Sequence, residues 1–416
     1  MLRKIGLIAA VDGFLKGIGF LLLPVYLNLM SKSEFGEFTY YFVAVSFLIP
    51  LFSLSLYIPQ IREFSSTEDE GEKKRIFSST INLTVIIFLV LTVFFMLTNL
   101  HGVMFQLAFG DQENSNLKAL ILLLMIGFGA ANLILYSHCM AQKKTKLIII
   151  FNCGKFLFVT SLGLSVLYVG TGYEDPSLDR MVGMVVGEIL TSIIMFVYMG
   201  RSYYLWSVNS NYLRKAALIS LPILPASMAN FVANMSDRYF LNLYHGAEAI
   251  AEYNLAFQIL FPIQMIMVAS QSAWAPYLFS VKDDIEAHRQ TRALLIKVAV
   301  VFVVLVLLLW GITILLMQYH IIPEQYVDVD LLLPLMAISV IGAALIQLPY
   351  NLFIRNGRTG IVAYITWAKA VLIVLVGYLV IEKYGYFGAA IAQGLVLMLV
   401  LFVTLHLAKK YNQKVI

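Results

Sequence analysis

The sequence predicts an all-α integral membrane protein with about twelve transmembrane helices in two pseudo-symmetric six-helix lobes, residues 1–210 and 211–416, and both termini cytoplasmic. Three observations carry this expectation: an apolar excess, a series of apolar stretches of spanning length, and an internal repeat. Of 416 residues, 60% are hydrophobic and only 13% charged, and mean hydropathy is +0.84. A soluble domain carries about 25% charged residues, so this pool cannot build a water-facing surface. A multi-domain cytosolic enzyme is excluded. The net charge of +5 and the pI near 8.9 reflect loop orientation, and no nucleic-acid partner is expected. Cys139 and Cys153 lie in apolar runs and read as small core side chains.

A span needs roughly 20 apolar residues to cross the hydrocarbon. The qualifying stretches are 5–30, 37–59, 77–98, 117–140, 147–169, 181–199, 217–243, 251–275, 295–318, 331–354, 361–381 and 387–408. The first begins like a signal peptide, but Asp12 and Lys16 interrupt it and no cleavage site follows, so it reads as a retained helix. With the N-terminus inside, the inner segments carry twenty Lys and Arg; the outer side holds five: Lys32, Lys118, Arg180, Arg238 and Lys383. That asymmetry places both termini in the cytoplasm. The mixed-charge stretch from Glu63 to Arg75 reads as a solvated loop.

The repeat supports two lobes of the same orientation. Phe35-Gly-Glu-Phe-Thr aligns with Ile250-Ala-Glu-Tyr-Asn, and Lys155 with Lys369. Val182-Gly-Met-Val-Val-Gly-Glu aligns with Phe387-Gly-Ala-Ala-Ile-Ala-Gln near the starts of spans six and twelve. Prolines interrupt corresponding helices of the lobes: Pro24, Pro50 and Pro59 in the first two spans, Pro222, Pro225, Pro262 and Pro276 in the seventh and eighth. Matched interruptions point to moving or site-bearing helices.

Five ionisable residues lie deep in apolar spans: Asp12, Lys16, Lys155, Glu188 and Lys369. Such residues are expensive and face a bundle interior or a wet cavity. By helical rise, Lys155 and Lys369 lie roughly 12 Å from the inner face and Lys16 about 16 Å. Mutual pairing is the competing reading. Asp12 and Lys16 are four apart on one face, and Lys155 and Glu188 lie on consecutive spans. Even so, three lysines face two carboxylates, which suits an anionic group such as a diphosphate. Span seven adds a polar face of Ser227, Asn230, Asn234 and Asp237, and span eight adds Gln258. These amides suit sugar hydroxyls; interhelical hydrogen bonding is the alternative. No Walker A sequence, metal-ligand spacing or catalytic constellation stands in the chain, so neither an enzyme nor a bound cofactor is expected.

Several motifs in order carry a family resemblance: Lys16-Gly-Ile-Gly-Phe, Leu23-Pro-Val-Tyr-Leu and Ser33-Glu-Phe-Gly-Glu-Phe, then Leu221-Pro-Ile-Leu-Pro and Asp237-Arg-Tyr-Phe-Leu, then Ile250-Ala-Glu-Tyr-Asn-Leu-Ala and Tyr384-Gly-Tyr-Phe-Gly-Ala-Ala-Ile-Ala. The set resembles the Wzx-type oligosaccharide flippases of the polysaccharide transporter family. Those belong with the MATE antiporters and the lipid II flippase in the MOP superfamily. One departure is Ala251, where the family usually has glycine. The resemblance implies movement of undecaprenyl-diphosphate-linked oligosaccharide from the inner to the outer leaflet of the bacterial cytoplasmic membrane by alternating access, for O-antigen, capsule or exopolysaccharide assembly. On this reading Lys16, Lys155, Lys369 and Arg238 meet the diphosphate, and Asn230, Asn234 and Gln258 meet the sugars. Asp12, Glu188 and Asp237 balance charge or carry a coupling proton or sodium ion. The partners would be the lipid bilayer, the lipid-linked glycan, and the polymerase and chain-length regulator of the same pathway. The alternatives are a cation-coupled multidrug antiporter on the same fold and a membrane-embedded glycan polymerase.

Overall fold

A computed structural model of the chain describes residues 2–98, 102, 103, 105, 106, 115–172 and 174–413. Regular structure among the described residues is helical. Ten stretches among the described residues are long and apolar enough to cross a membrane. Two of these, Ser210–Ile259 and Thr359–Lys410, run to 50 and 52 residues, far beyond the roughly 20 that one crossing needs.

The helices gather into two compact units. The first comprises Met1–Gly19 and Tyr40–Phe231, the second Phe20–Thr39 and Val232–Ile416. This grouping follows the chain differently from a division at residue 210, because segment 20–39 packs with the later helices.

The first unit is built from α1 (Leu2–Leu21), most of α3 (Lys32–Phe52), α4 (Tyr57–Ser66), α5 (Glu70–Thr98), α6 (Ser115–Ala141), α7 (Thr145–Val169), α8 (Pro176–Tyr203) and α9 (Ser210–Ser220). Between α1 and α3 lies α2 (Leu23–Leu29), which carries Pro24 in its first turn. A proline there lacks the N–H that would continue α1, so the first apolar stretch is two helices in sequence. The charged stretch 63–75 is not the loop its composition suggests. It contains the end of α4 and the first turns of α5, separated only by 67–69. Glu70 and Glu72 favour a helix N-terminus, and Lys73 Nζ pairs with Glu70 Oε1 at 2.8 Å. The helix remains solvated, so the charges cost little.

The closest approach of a glycine to another helix's backbone among the described residues of this unit is between α7 and α8. A Cβ built on Gly183 would stand 2.3 Å from Leu162 O, and one on Gly187 2.6 Å from Val159 Cα. Small residues four apart let two backbones meet where lipid supplies no hydrophobic drive. Asp175 caps α8: its side chain accepts from Leu178 N and binds Lys118 Nζ at 2.8 Å.

The second unit holds the later part of α10 (Leu224–Ile259), α11 (Phe261–Ser280), α12 (Asp284–Gln318), α13 (Val329–Arg355) and α14 (Thr359–Gln413). The long elements α10 and α14 are each interrupted at a glycine with positive φ, Gly246 at 75° and Gly385 at 55°. L-residues rarely adopt that conformation, so these glycines mark where the chain turns. Helix resumes at once after Gly246 and runs through Ala251, whose side chain is fully buried. α12 begins at Asp284, capped by Asp283, well before the apolar run at 295.

Candidate functional site

The close approach of α7 and α8 creates the polar centre of the first unit. With Gly187 against the backbone of 158–159, the next residue, Glu188, is brought beside Lys155. Lys155 Nζ lies 3.0 Å from Glu188 Oε1. The other carboxylate oxygen accepts from Asn132 Nδ2 of α6 at 2.6 Å, and the same amide donates to the Glu188 carbonyl at 3.0 Å. Glu188 is nearly covered, whereas a third of the Lys155 side chain remains exposed. On α1, Asp12 accepts from Asn152 Nδ2 of α7 at 2.6 Å, and Lys16 is exposed. Two carboxylate–amide bonds and one ion pair thus tie these helices together. The arrangement keeps a cation accessible while its counter-ion is fixed, so an incoming anion can compete with Glu188 for Lys155.

The second unit holds a different cluster. Asp237 and Arg238 are 2% and 3% exposed. The guanidinium meets Asp237 Oδ1 at 3.2 Å, Asn254 Oδ1 at 2.9 Å and the Asn234 carbonyl at 2.9 Å, and it lies over the Tyr253 and Phe257 rings. Asp237 Oδ2 also accepts from Tyr253 at 2.5 Å and from Gln393 of α14 at 2.7 Å. Asn254 donates in turn to Thr39 Oγ1 at 2.9 Å. Those last two residues are counterparts in the sequence repeat, and here they touch. Nearby in the chain, Lys32 binds the fully buried Glu252 at 2.5 Å, and Glu252 accepts from the Asp328 N–H at 2.8 Å.

The structure therefore brings Lys155 and Glu188 together, and Asp237 with Arg238. Arg238 is 3% exposed and held by Asp237, Asn254 and the Asn234 carbonyl, which differs from a residue open to substrate. Lys369 on α14 is half-buried, as are Asn234 and Gln258, while Asn230 is exposed. Sequence reasoning missed Asn132, Asn152, Tyr253, Asn254 and Gln393 as members of these clusters. The signal was present for Asn132 and Asn152, which are amides inside otherwise apolar spans.

Helices and breaks together define a multi-pass helical membrane fold, and solved structures share it. The chain is similar to the lipid II flippase MurJ in an inward closed conformation, with a TM-score of 0.77 at 15% identity over 97% of this chain and 87% of that one. It is also similar to a multidrug resistance MATE family transporter of the MOP superfamily in its inward-facing conformation, with a TM-score of 0.67 at 12% identity, covering 95% and 98%. A third likeness is to a MOP superfamily transporter from Pyrococcus furiosus, with a TM-score of 0.60 at 12% identity, covering 99% and 95%. No curated protein matches the chain. The model of the polysaccharide biosynthesis protein family matches residues 1–282, and the chain belongs to that family.

Proposed function

We propose that the protein is a flippase that moves undecaprenyl-diphosphate-linked oligosaccharide from the inner to the outer leaflet of the bacterial cytoplasmic membrane, by alternating access. The observation that carries this reading is the accessible ammonium of Lys155 held beside Glu188 in the middle of a spanning helix. Membership of a polysaccharide biosynthesis family supplies the class of cargo. Lys155, Lys16 and Lys369 are the point charges for the diphosphate. Asn230, Asn234 and Gln258 serve the sugars. Asp12 and Glu188 balance the lysines or carry the coupling proton or sodium ion, whereas Asp237 and Arg238 hold the second unit together. The breaks at Gly246 and Gly385 support twelve crossings, and the Lys and Arg asymmetry supports cytoplasmic termini. O-antigen, capsule and exopolysaccharide pathways all need this step, and the polymerase and chain-length regulator of such a pathway would receive the product.

Deleting the gene tests the reading. Complete lipid-linked repeat units accumulating on the inner leaflet, with surface polysaccharide lost, is the expected result. Single units reaching the outer leaflet unpolymerised would instead identify a polymerase, and intact polysaccharide with altered drug sensitivity an antiporter. At residue level, a Lys155→Glu, Lys369→Glu double variant should reach the membrane and fail to restore export. Wild-type export by that variant would remove both lysines from the assignment.

A further inference from the structure

A cavity of about 590 Å³ lies within the first unit, between α5, α6, α8 and the segment 204–208 that follows α8. Its floor is made by Ala131, Leu135 and Ser192. Val85, Ile86 and Ile193 form a rim, and each is about half exposed. In a membrane protein, exposed aliphatic side chains in mid-helix face hydrocarbon, so the cavity opens sideways into the bilayer. One end is polar. There Tyr204 Oη donates to Asn82 Oδ1 at 2.7 Å, and Asn82 Nδ2 to the Ser207 carbonyl at 3.4 Å. Trp206, 93% exposed, stands at the same end, the placement that amphipathic rings take at a membrane–water boundary.

The wall formed by 204–208 is not a loose loop. Leu205 N donates to Ser78 Oγ at 2.7 Å and Asn209 N to Ser79 Oγ at 2.8 Å, so a run of hydroxyls on α5 straps it down. Beyond the polar end the surface turns basic. Arg201 is exposed in the last turn of α8, and a smaller pocket beside Tyr203 is lined by Lys73, Lys143 and Lys144 together with Glu68 and Glu70, with Lys73 paired to Glu70, so cations are in excess there.

We infer that this groove binds one acyl chain of an anionic phospholipid, with its phosphate at the basic rim and its chain over Ala131 and Ser192. The groove is apolar within the depth of the hydrocarbon, so water cannot fill it favourably. It opens to the bilayer, so the bulk lipid of that leaflet is the species that enters. Lys73 is committed to Glu70, so Arg201, Lys143 and Lys144, which outnumber the remaining Glu68, are the cations that select the negative head group. The floor residues Ala131 and Ser192 lie next to Asn132 and one turn from Glu188, so an occupied groove backs the helices that hold the Lys155 pair.

The test uses the full chain in nanodiscs of neutral phosphatidylcholine, with brominated-chain phosphatidylglycerol added as quencher. Trp206 emission is taken as the difference between wild type and Trp206→Phe. Saturable quenching is expected, with half-saturation at about fivefold lower mole fraction than for brominated phosphatidylcholine for each rim cation engaged. Ala131→Phe, which fills the floor, should abolish the saturable component. Arg201→Gln leaves the floor untouched and should lower the head-group preference about fivefold, so it tests the site even if the floor variant misfolds. Linear quenching that is equal for both lipids would overturn the inference. So would saturable quenching unchanged in a folded Ala131→Phe protein, and so would displacement of phosphatidylglycerol by a polyprenyl phosphate at a lower mole fraction, which would identify a different occupant.

Discussion

Lys155 and Glu188 in the first unit correspond by repeat to Lys369 and Gln393 in the second, yet the two pairs behave differently. In the first unit the lysine meets a carboxylate across a glycine-lined helix crossing. In the second the carboxylate position is an amide, and Gln393 donates to Asp237. The acidic charge of the second unit has moved to α10, where Arg238 neutralises it away from solvent. Helices that align in the sequence repeat thus share the lysines and differ in their surroundings. One unit presents a cation with a fixed but displaceable partner; the other seals its ion pair as a structural clamp. For an anionic cargo, the first unit is the half that can trade one partner for another.

The comparison is most exposed to Asp237→Ala. That change leaves the Arg238 guanidinium buried without its counter-charge, and removing one partner of a buried pair costs about 3–5 kcal/mol. Thermal unfolding in detergent should fall accordingly, and Asp237→Asn should recover little. A loss near zero would mean that the second cluster is not a clamp. Next in size is Gly183→Val. The added atoms meet the Leu162 carbonyl, and overpacking costs about 1–3 kcal/mol. If the pair depends on helix approach, export should drop in this variant with Lys155 and Glu188 both intact.

Asp175→Ala removes the cap of α8 and should cost about 1 kcal/mol. Burial alone would raise the Asp175 carboxyl, but Lys118, Ser177 and the Leu178 N–H together hold it below the ordinary value of 3.8. A depressed carboxyl stabilises the fold above its unfolded pKa and loses that contribution as pH falls through the lower folded value. Acid titration of stability from pH 4 downward should therefore be shallower in Asp175→Ala than in wild type. Lys155→Met should fall below Asp237→Ala in its effect on folding, because a third of the Lys155 side chain is exposed and Asn132 Nδ2 still holds the Glu188 carboxylate. Its effect on export should be the largest of the set. An unfolding midpoint that drops as far as in Asp237→Ala would erase the distinction between the two units.

Much of the fold was legible in the chain. Of the prolines that interrupt the apolar stretches, Pro24 stands at the break between α1 and α2 and Pro262 at the break between α10 and α11. Charge content alone misjudged 63–75, because mixed charges at helical spacing solvate a helix as well as a loop. The Lys155–Glu188 partnership was visible as one of two readings, since depth along consecutive spans follows from rise per residue. The role of Arg238 was not. Neighbouring residues on a helix do not ordinarily face one another, and only the long side chain folded back toward the Asn234 carbonyl lets it reach Asp237.

Sequence by itself determined that this is a helical membrane protein with ionisable residues inside its apolar spans. Hydropathy and helical rise are properties of the chain read in one dimension, and the cost of burying charge does not depend on which partner is found. Tertiary structure alone decided which amide and which cation each carboxylate meets. That choice depends on where backbones come close together, as at Gly183 and Gly187, and no periodicity along one helix specifies which neighbour stands opposite.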